Sequence, residues 1–410
     1  MHPASTKRAA VEAWAAAVDW SDVDALVLAG LDGDVVEIVR RHTAAPLVCF
    51  DPRMSAGVKV STSAAGLRYE LRLLDEAGKK VLIQDGLVPE LAHDVRQALA
   101  CSLARTAIGQ AQGHSAEDWE AVLLEALPYW EGASTVGRAT RALRALPAVI
   151  VGSGPSLDQV ADRLPELAPR ACIIATPGSV ATLERVGVVP DFVAVMDERV
   201  PARWLESIAP RSTLLAGLQT AAEVHRLPWR RRLIAPHEVG GAEAVVVEVL
   251  EDTLIGVGGS VSTAAMSAAY RLGCSPIILV GMDCAEAPEA THCAGYPDAR
   301  PHMQTIGQVP GWGGGEPVFT TSSLEIYRQW FEEAAVAIAN LRDGPRLVNA
   351  TGGGAHITGW EELELAELVG ELDAWAPSAD HLIAKSAPRP ITTAELSAID
   401  ARLRTKESHV

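Results

Sequence analysis

The sequence predicts an α/β protein with two parallel sheets, each covered by helices on both faces. Three observations lead there. The chain has 410 residues, more than one domain's worth. Residues 25–54 read as strand, helix, strand. From residue 147 onward, short continuous apolar runs alternate with helical segments, the pattern of strands buried on both faces.

Taken in order, the first segment, "MHPASTKRAAVEAWAAAVDW", reads as an amphipathic helix without a signal-peptide apolar region. In "ALVLAGLDGDVVEIVRRHTAAPLVCFDPRM" a strand, Ala25–Ala29, meets a turn at Gly30-Leu31-Asp32-Gly33. A helix with Val35, Val36, Ile38 and Val39 on its apolar side follows, then a second strand, Leu47–Phe50, ending at Asp51. An acid at that strand end is where dinucleotide folds hold ribose. The turn has only two glycines, so a Rossmann-like scaffold without ligand is the favoured reading. A strand at Val81–Gln84 and a helix over Leu87–Arg105 complete this part. Trp119, Val122, Leu123 and Leu127 carry helical periodicity, and a linker near Gly132–Gly137 sets the expected boundaries: 1–132, 133–376 and a polar tail, 377–410, loosely attached with one short helix.

Strands of the second domain are expected at Ala148–Val151, Cys172–Ala175, Phe192–Met196, Thr213–Leu215, Leu233–Ala235, Ile277–Val280 and Leu347–Val348. There is no internal repeat or low-complexity block. The net charge of −17 argues against a nucleic-acid partner, because such affinity comes from Lys and Arg meeting phosphates. The six cysteines form no CxxC pair and mostly sit in apolar runs, as in a reducing cytoplasm. No apolar run approaches the ~20 residues that span a bilayer, so membrane insertion is not expected.

Five polar or Gly-rich turns should open on the carboxyl edge of the second sheet, where open α/β sheets bind ligands. The first is Gly152-Ser153-Gly154-Pro155-Ser156-Leu157. Its glycines admit a ligand close to backbone, and a helix N-terminus offers amides to an anion. Leu157 departs from the dinucleotide fingerprint, and no Gly-Lys-Ser/Thr follows as in a Walker loop. The second turn holds Thr176 and Ser179, with Asp197 at the end of the next strand; the third is Gly258-Gly259-Ser260, opening an Ala-rich helix; the fourth is Gly281-Met282-Asp283; the fifth carries Asn349, Thr351 and three glycines. Together they predict a nucleotide pocket.

These motifs are where a family resemblance enters. "GSGPSL" at 152–157, "GVVPDFVAVMD" at 187–197, "GGSVSTAA" at 258–265, "GMDCAEAPEATHCAG" at 281–295 and "NATGGGAHITG" at 349–359 resemble the motility-associated factor (Maf) glycosyltransferases that modify flagellin. The resemblance covers most of 147–370, and the 25–54 unit looks like a shortened form of the family's N-terminal domain. The central domain is also similar to 6-hydroxymethylpterin diphosphokinases and, more distantly, to CMP-sialic-acid transferases.

The resemblance implies a sialyltransferase-like central domain. It implies a CMP-activated nonulosonic acid donor, of pseudaminic or legionaminic type, and a Ser or Thr acceptor on flagellin or a similar protein. Ser153, Gly154 and Thr176 then fall where cytidine and phosphate are held, Asp197 at a nucleotide contact, and Gly259 and Ser260 near the phosphate. A base for the acceptor hydroxyl is needed, and a histidine is the natural one. His292, His302 and His356 are the candidates, with His292 favoured by its motif. Arg199, Arg300 and the run Arg230-Arg231-Arg232 can neutralise phosphate or carboxylate. No cofactor or metal is obligatory on this reading. The alternatives are pyrophosphoryl transfer from ATP, which needs Mg²⁺ with Asp197, Glu198 and Asp283 as the available ligands, and a non-catalytic partner-binding protein.

Overall fold

A computed structural model describes residues 11–23, 25–29, 33–43, 47–50, 60–61, 67–68, 71, 81–84, 116–237, 241–288, 290–297, 305–374, 378–386 and 388–406. The chain divides into two compact units, Met1–Ala111 and Gln112–Val410.

In the first unit β1 (Ala25–Ala29), β2 (Leu47–Phe50), β3 (Val60–Ser61) and β4 (Val81–Gln84) form a parallel sheet in the order β3-β2-β1-β4. The three strands expected here have the bounds read from the sequence. Helix α1 (Gly33–Arg40) follows β1. Leu26, Leu28 and Leu47 pack with Ile38 and Val39 of α1 and with Val11 and Ala15 of a helix over residues 11–17. The turn at Gly30–Asp32, the acid Asp51 and the helix expected over Leu87–Arg105 lie outside the described residues.

The second unit begins earlier than the expected boundary at 132/133. Its first helix, α2 (Ala116–Ala126), and the turn Leu127–Trp130 bury Leu123, Leu127 and Trp130 in the core of the large sheet. That sheet has nine strands. They are β5 (Ser134–Thr135), β6 (Ala148–Val151), β7 (Cys172–Ala175), β8 (Phe192–Val195), β9 (Thr213–Gly217), β10 (Arg231–Ala235), β11 (Ile277–Val280), β14 (Leu347–Asn349) and β15 (Glu361–Glu362). The order is β15-β14-β11-β6-β7-β8-β9-β10-β5, all parallel. From β6 the chain steps outward through β7 to β10, then returns to lay β11 on the other side of β6. The gap between β6 and β11 is therefore the point where the winding reverses, which is where doubly wound sheets hold ligands.

Alternating side chains of the strands feed two cores. Val149, Val151, Ile173, Ala175, Val193 and Val195 face one; Ala148, Ile150, Cys172, Ile174, Phe192 and Ala194 face the other. The principal helices are α3 (Leu157–Val160), α4 (Val180–Arg185), α5 (Ala242–Leu250), α6 (Val261–Leu272) and α7 (Ser322–Ala339). Small residues of α6 (Ala264, Ala265, Ala268, Ala269) are fully buried against the sheet. Among the described residues of this unit, four short strands were not expected. β5 and β15 are two-residue edge strands, and β12 (Thr305–Val309) pairs antiparallel with β13 (Val318–Thr321), β12 being largely exposed. None carries a buried apolar run to announce it.

The expected loose tail is instead part of the fold. It holds two helices, α8 (Ala379–Ser386) and α9 (Thr393–Lys406). Ile391, Leu396, Ile399 and Leu403 join one core, while Ala379 and Ile383 join the other. Arg138 meets Glu395 at 2.6 Å, both largely buried. The larger apolar residues Ile383, Ile391, Leu396, Ile399 and Leu403 of this polar segment are buried, which composition alone does not reveal.

Candidate functional site

The carboxyl ends of β6, β11 and β14 converge, and glycine makes this possible. Gly152 N donates to Val280 O at 2.8 Å and Gly154 N to Gly281 O at 2.9 Å. A Cβ at Gly152 would stand 2.4 Å from Gly281 O, and one at Gly154 1.9 Å from Oδ1 of Asp283. The absence of side chains here serves turn-against-turn packing within the chain. The sequence reading gave that space to a ligand.

Asp283 is the hub of this junction. Its Oδ2 accepts from Ser156 N at 3.0 Å and its Oδ1 from the Ser156 hydroxyl at 2.7 Å. Its backbone oxygen accepts from Ala355 N at 2.7 Å, and a Cβ at Gly354 would meet Asp283 backbone. Burial pushes the Asp283 carboxyl above its ordinary range, opposed by the two bonds from Ser156. The helix N-terminus that was expected to greet an anion is thus engaged by the chain's own carboxylate, and α3 runs for only four residues. From the third strand, the Thr351 hydroxyl accepts from Met282 N at 3.2 Å. Asn349 Oδ1 accepts from Thr351 N at 3.3 Å, while its Nδ2 is buried without a partner. Asp283, Asn349 and Thr351 are therefore brought together, but as buried supports.

Thr176 and Ser179 are buried too. Both hydroxyls donate to Val151 O, at 3.1 and 3.0 Å, so they cap the end of β6 and do not face outward. Ser153 and Pro155 are half-buried at the rim of the same turn. Cys293 N donates to Ser153 O at 2.9 Å and brings the 290–297 loop alongside. There the His292 ring lies 4.0 Å from the Tyr296 ring, tilted by 32°, and Tyr296 meets Trp204 edge-on at 5.5 Å. His302 and Arg300 lie outside the described residues.

On the other flank, Asp197 follows β8 and binds Arg199 through backbone and guanidinium, which raises the Arg199 pKa further. Tyr327 of α7 lies close to Gly259, where a Cβ would be 3.3 Å from its ring. Burial pushes the Tyr327 phenol up. Gly258 is packed on Trp330, and a Cβ there would be 2.3 Å from its ring. Ser260 caps α6, its Oγ accepting from Thr263 N at 3.4 Å. Arg230 and Arg231 pair with Asp380, and Arg232 donates to the carbonyls of His225 and Leu227. The run lies at the amino end of β10, away from the site.

His356 lies just beyond the Gly352–Gly354 turns. Its Nδ1 is 3.0 Å from Oε1 of Glu362. Sequence reasoning missed Glu362, Tyr327 and Arg328. Glu362 sits on a two-residue edge strand, and the helix face of Tyr327 and Arg328 is polar and buried together, so periodicity gave no sign of either.

An open parallel sheet with clustered turns at its reversal point defines the class: a doubly wound α/β domain. Comparison with known proteins narrows it. Residues 123–289 match the family model described as 6-hydroxymethylpterin diphosphokinase MptE-like. The structure of a Maf glycosyltransferase from Magnetospirillum magneticum AMB-1 shares the fold with a TM-score of 0.53 and 17% identity, covering 92% of this chain and 61% of that one. An uncharacterized protein of Treponema pallidum (strain Nichols) is 28% identical over 159 residues, which is 34% of this chain and 38% of that protein. The resemblance read from the motifs stands: an MptE-like central domain within the fold of a Maf glycosyltransferase. The chain spans less than two thirds of either relative. Among the described residues, no helix is long and apolar enough to cross a membrane.

Proposed function

We propose that this chain is a glycosyltransferase. It moves a nonulosonic acid of pseudaminic or legionaminic type from a CMP-activated donor to a Ser or Thr hydroxyl of flagellin or a similar protein, in the cytoplasm. The observation that carries this reading is the junction of the turns after β6 and β11. It lies at the reversal point of the sheet, with Ser153, Asp197–Arg199, Gly259, His292 and His356 all at least partly exposed along the rim of the same sheet edge. The likeness to a Maf glycosyltransferase fold supports it.

Transfer from such a donor requires three things. The phosphate leaving group must be held, the acceptor hydroxyl must lose its proton, and water must be kept out. Arg199 stands at the rim with its guanidinium paired to Asp197, and the half-buried rings of His292, Tyr296 and Trp204 offer apolar surface beside Ser153.

A second reading, pyrophosphoryl transfer from ATP to a pterin alcohol, is favoured by the family model over 123–289. It needs carboxylates free to hold Mg²⁺ between phosphates. Asp283 is committed to Ser156 and Asp197 to Arg199, so two of the three carboxylates nominated for this role are already engaged. Calorimetric titration with CMP and with ATP, each with and without Mg²⁺, separates the readings. Metal-independent binding of CMP in preference to ATP is expected. Mg²⁺-dependent ATP binding would establish the second reading, and binding of neither would leave a non-catalytic partner-binding protein.

A further inference from the structure

We infer that His356 takes the proton of the acceptor hydroxyl and that Glu362 is its positioning residue. This deepens the glycosyltransferase reading and rests on it. The His356 backbone is fixed from three sides. Its N donates to Pro310 O at 2.8 Å, its O faces Arg328 Nη1 at 3.5 Å, and the preceding residue, Ala355, is bonded to Asp283. Thr358 N donates to Glu332 at 3.1 Å, which ties the following turn to α7 as well. The ring is therefore carried on a held loop, beside the junction of β6, β11 and β14.

The ring faces one carboxylate. Glu362 Oε1 is buried, makes no hydrogen bond, and lies 3.0 Å from Nδ1. Its second oxygen accepts from Gly313 N at 2.9 Å, which fixes the carboxylate. Glu362 is 14% exposed and the His356 side chain 37%. The approach is not in line for a hydrogen bond, as is common before substrate binds; brought into line, a carboxylate there selects the tautomer with the proton on Nδ1 and leaves Nε2 with a free lone pair. The Nδ1 of His292 faces the Thr291 hydroxyl at 3.1 Å, and its ring lies on Tyr296.

The step balances simply. The acceptor oxygen bonds to the anomeric carbon of the donor as the bond from that carbon to the phosphate oxygen breaks. CMP leaves with the electron pair, and the hydroxyl proton passes to Nε2. Glu362 stabilises the imidazolium that results. The charged groups facing this loop are Glu362 from β15, Arg328 with its partners Glu325 and Glu332 from α7, and Asp283 from the turn after β11.

The test is histidine side-chain NMR on the full chain, titrated from about pH 5 to about pH 9, with and without CMP. His356→Ala assigns the signal. In the native protein His356 should hold its proton on Nδ1 when neutral, and CMP should shift its resonances. Glu362→Gln should weaken that preference for Nδ1, with Glu362→Asp restoring part of it, while CMP affinity stays within about twofold. A neutral ring protonated on Nε2 in the native protein, or a tautomer indifferent to Glu362→Gln in a variant that still binds CMP, overturns the inference alone. Absence of any CMP-induced shift in the native protein overturns the functional reading, and the base assignment with it. Should Glu362→Gln not fold, Glu362→Asp must by itself weaken the preference for Nδ1, and an unchanged tautomer there also overturns the inference.

Discussion

The two ends of the nine-stranded sheet solve the same problem differently. Every strand end leaves backbone groups to be satisfied. At the amino end the answers are local and closed: Asp191 Oδ2 accepts from Ile173 N at 2.9 Å, and the Ser212 hydroxyl donates to Pro190 O at 2.7 Å. Buried Cys172 and Cys274 pack there, their thiols pushed up by burial. At the carboxyl end the turns satisfy one another across strands, through Gly152, Gly154, Gly281 and Asp283. Beyond that inner ring stands an outer one of partly exposed groups: Ser153, Asp197, Arg199, His292 and His356. The difference teaches that polar strand ends are not in themselves a site. The candidate chemistry is in the outer ring, and the inner ring holds it in place.

The strongest way to break this picture is Gly154→Val. A side chain there would collide with Asp283, and the expected result is a loss above about 4 kcal/mol, or no folded protein. Unchanged denaturant stability would mean the turns are not packed as described. Next is the amino end. Burial raises the Asp191 carboxyl to about 6 from its ordinary 3.8. The folded state then binds a proton more tightly than the unfolded chain does. Its contribution is greatest below pH 3.8 and falls as the pH rises through about 6, by about 3 kcal/mol in all. Asp191→Asn should flatten that slope in urea titrations across the window, and an unaltered slope would locate the titrating group elsewhere.

Asp283→Ala should cost about 2 kcal/mol, because the Ser156 amide and hydroxyl lose their acceptor in a buried place. A thermal midpoint equal to the parent's would remove Asp283 from its hub position. The smallest effect is expected in the outer ring. His292→Ala removes a ring contact with Tyr296, and a shift of the denaturation midpoint worth no more than about 1 kcal/mol is expected.

Strand positions were legible because buried parallel strands are continuous apolar runs: Ala148–Val151, Cys172–Ala175 and Ile277–Val280 have the bounds read from sequence. What sequence could not convey is direction. Thr176 and Ser179 stand at a strand end as a ligand-binding pair would, yet their hydroxyls turn inward to Val151 O. Asp283 was recognisable as a strand-end acid, but its partner Ser156 lies 127 positions away. Glu362 had no signal, since a two-residue strand has no period. The tail was misjudged because α9 is polar on most of its surface and buries only a few residues, such as Ile399 and Leu403.

The winding of the sheet also has a consequence in time. Val151 pairs with Val280, so β6 must wait for all of β7 to β10 to be synthesised before its second neighbour exists. Contacts so distant along the chain form slowly, since a long loop must close first. A newly made chain that ends before β11 would carry a sheet with one apolar edge uncovered, which is a surface for chaperones or for aggregation. The junction of β6 and β11 is thus assembled late, and the apolar edge of the half-made sheet stays uncovered until β11 arrives.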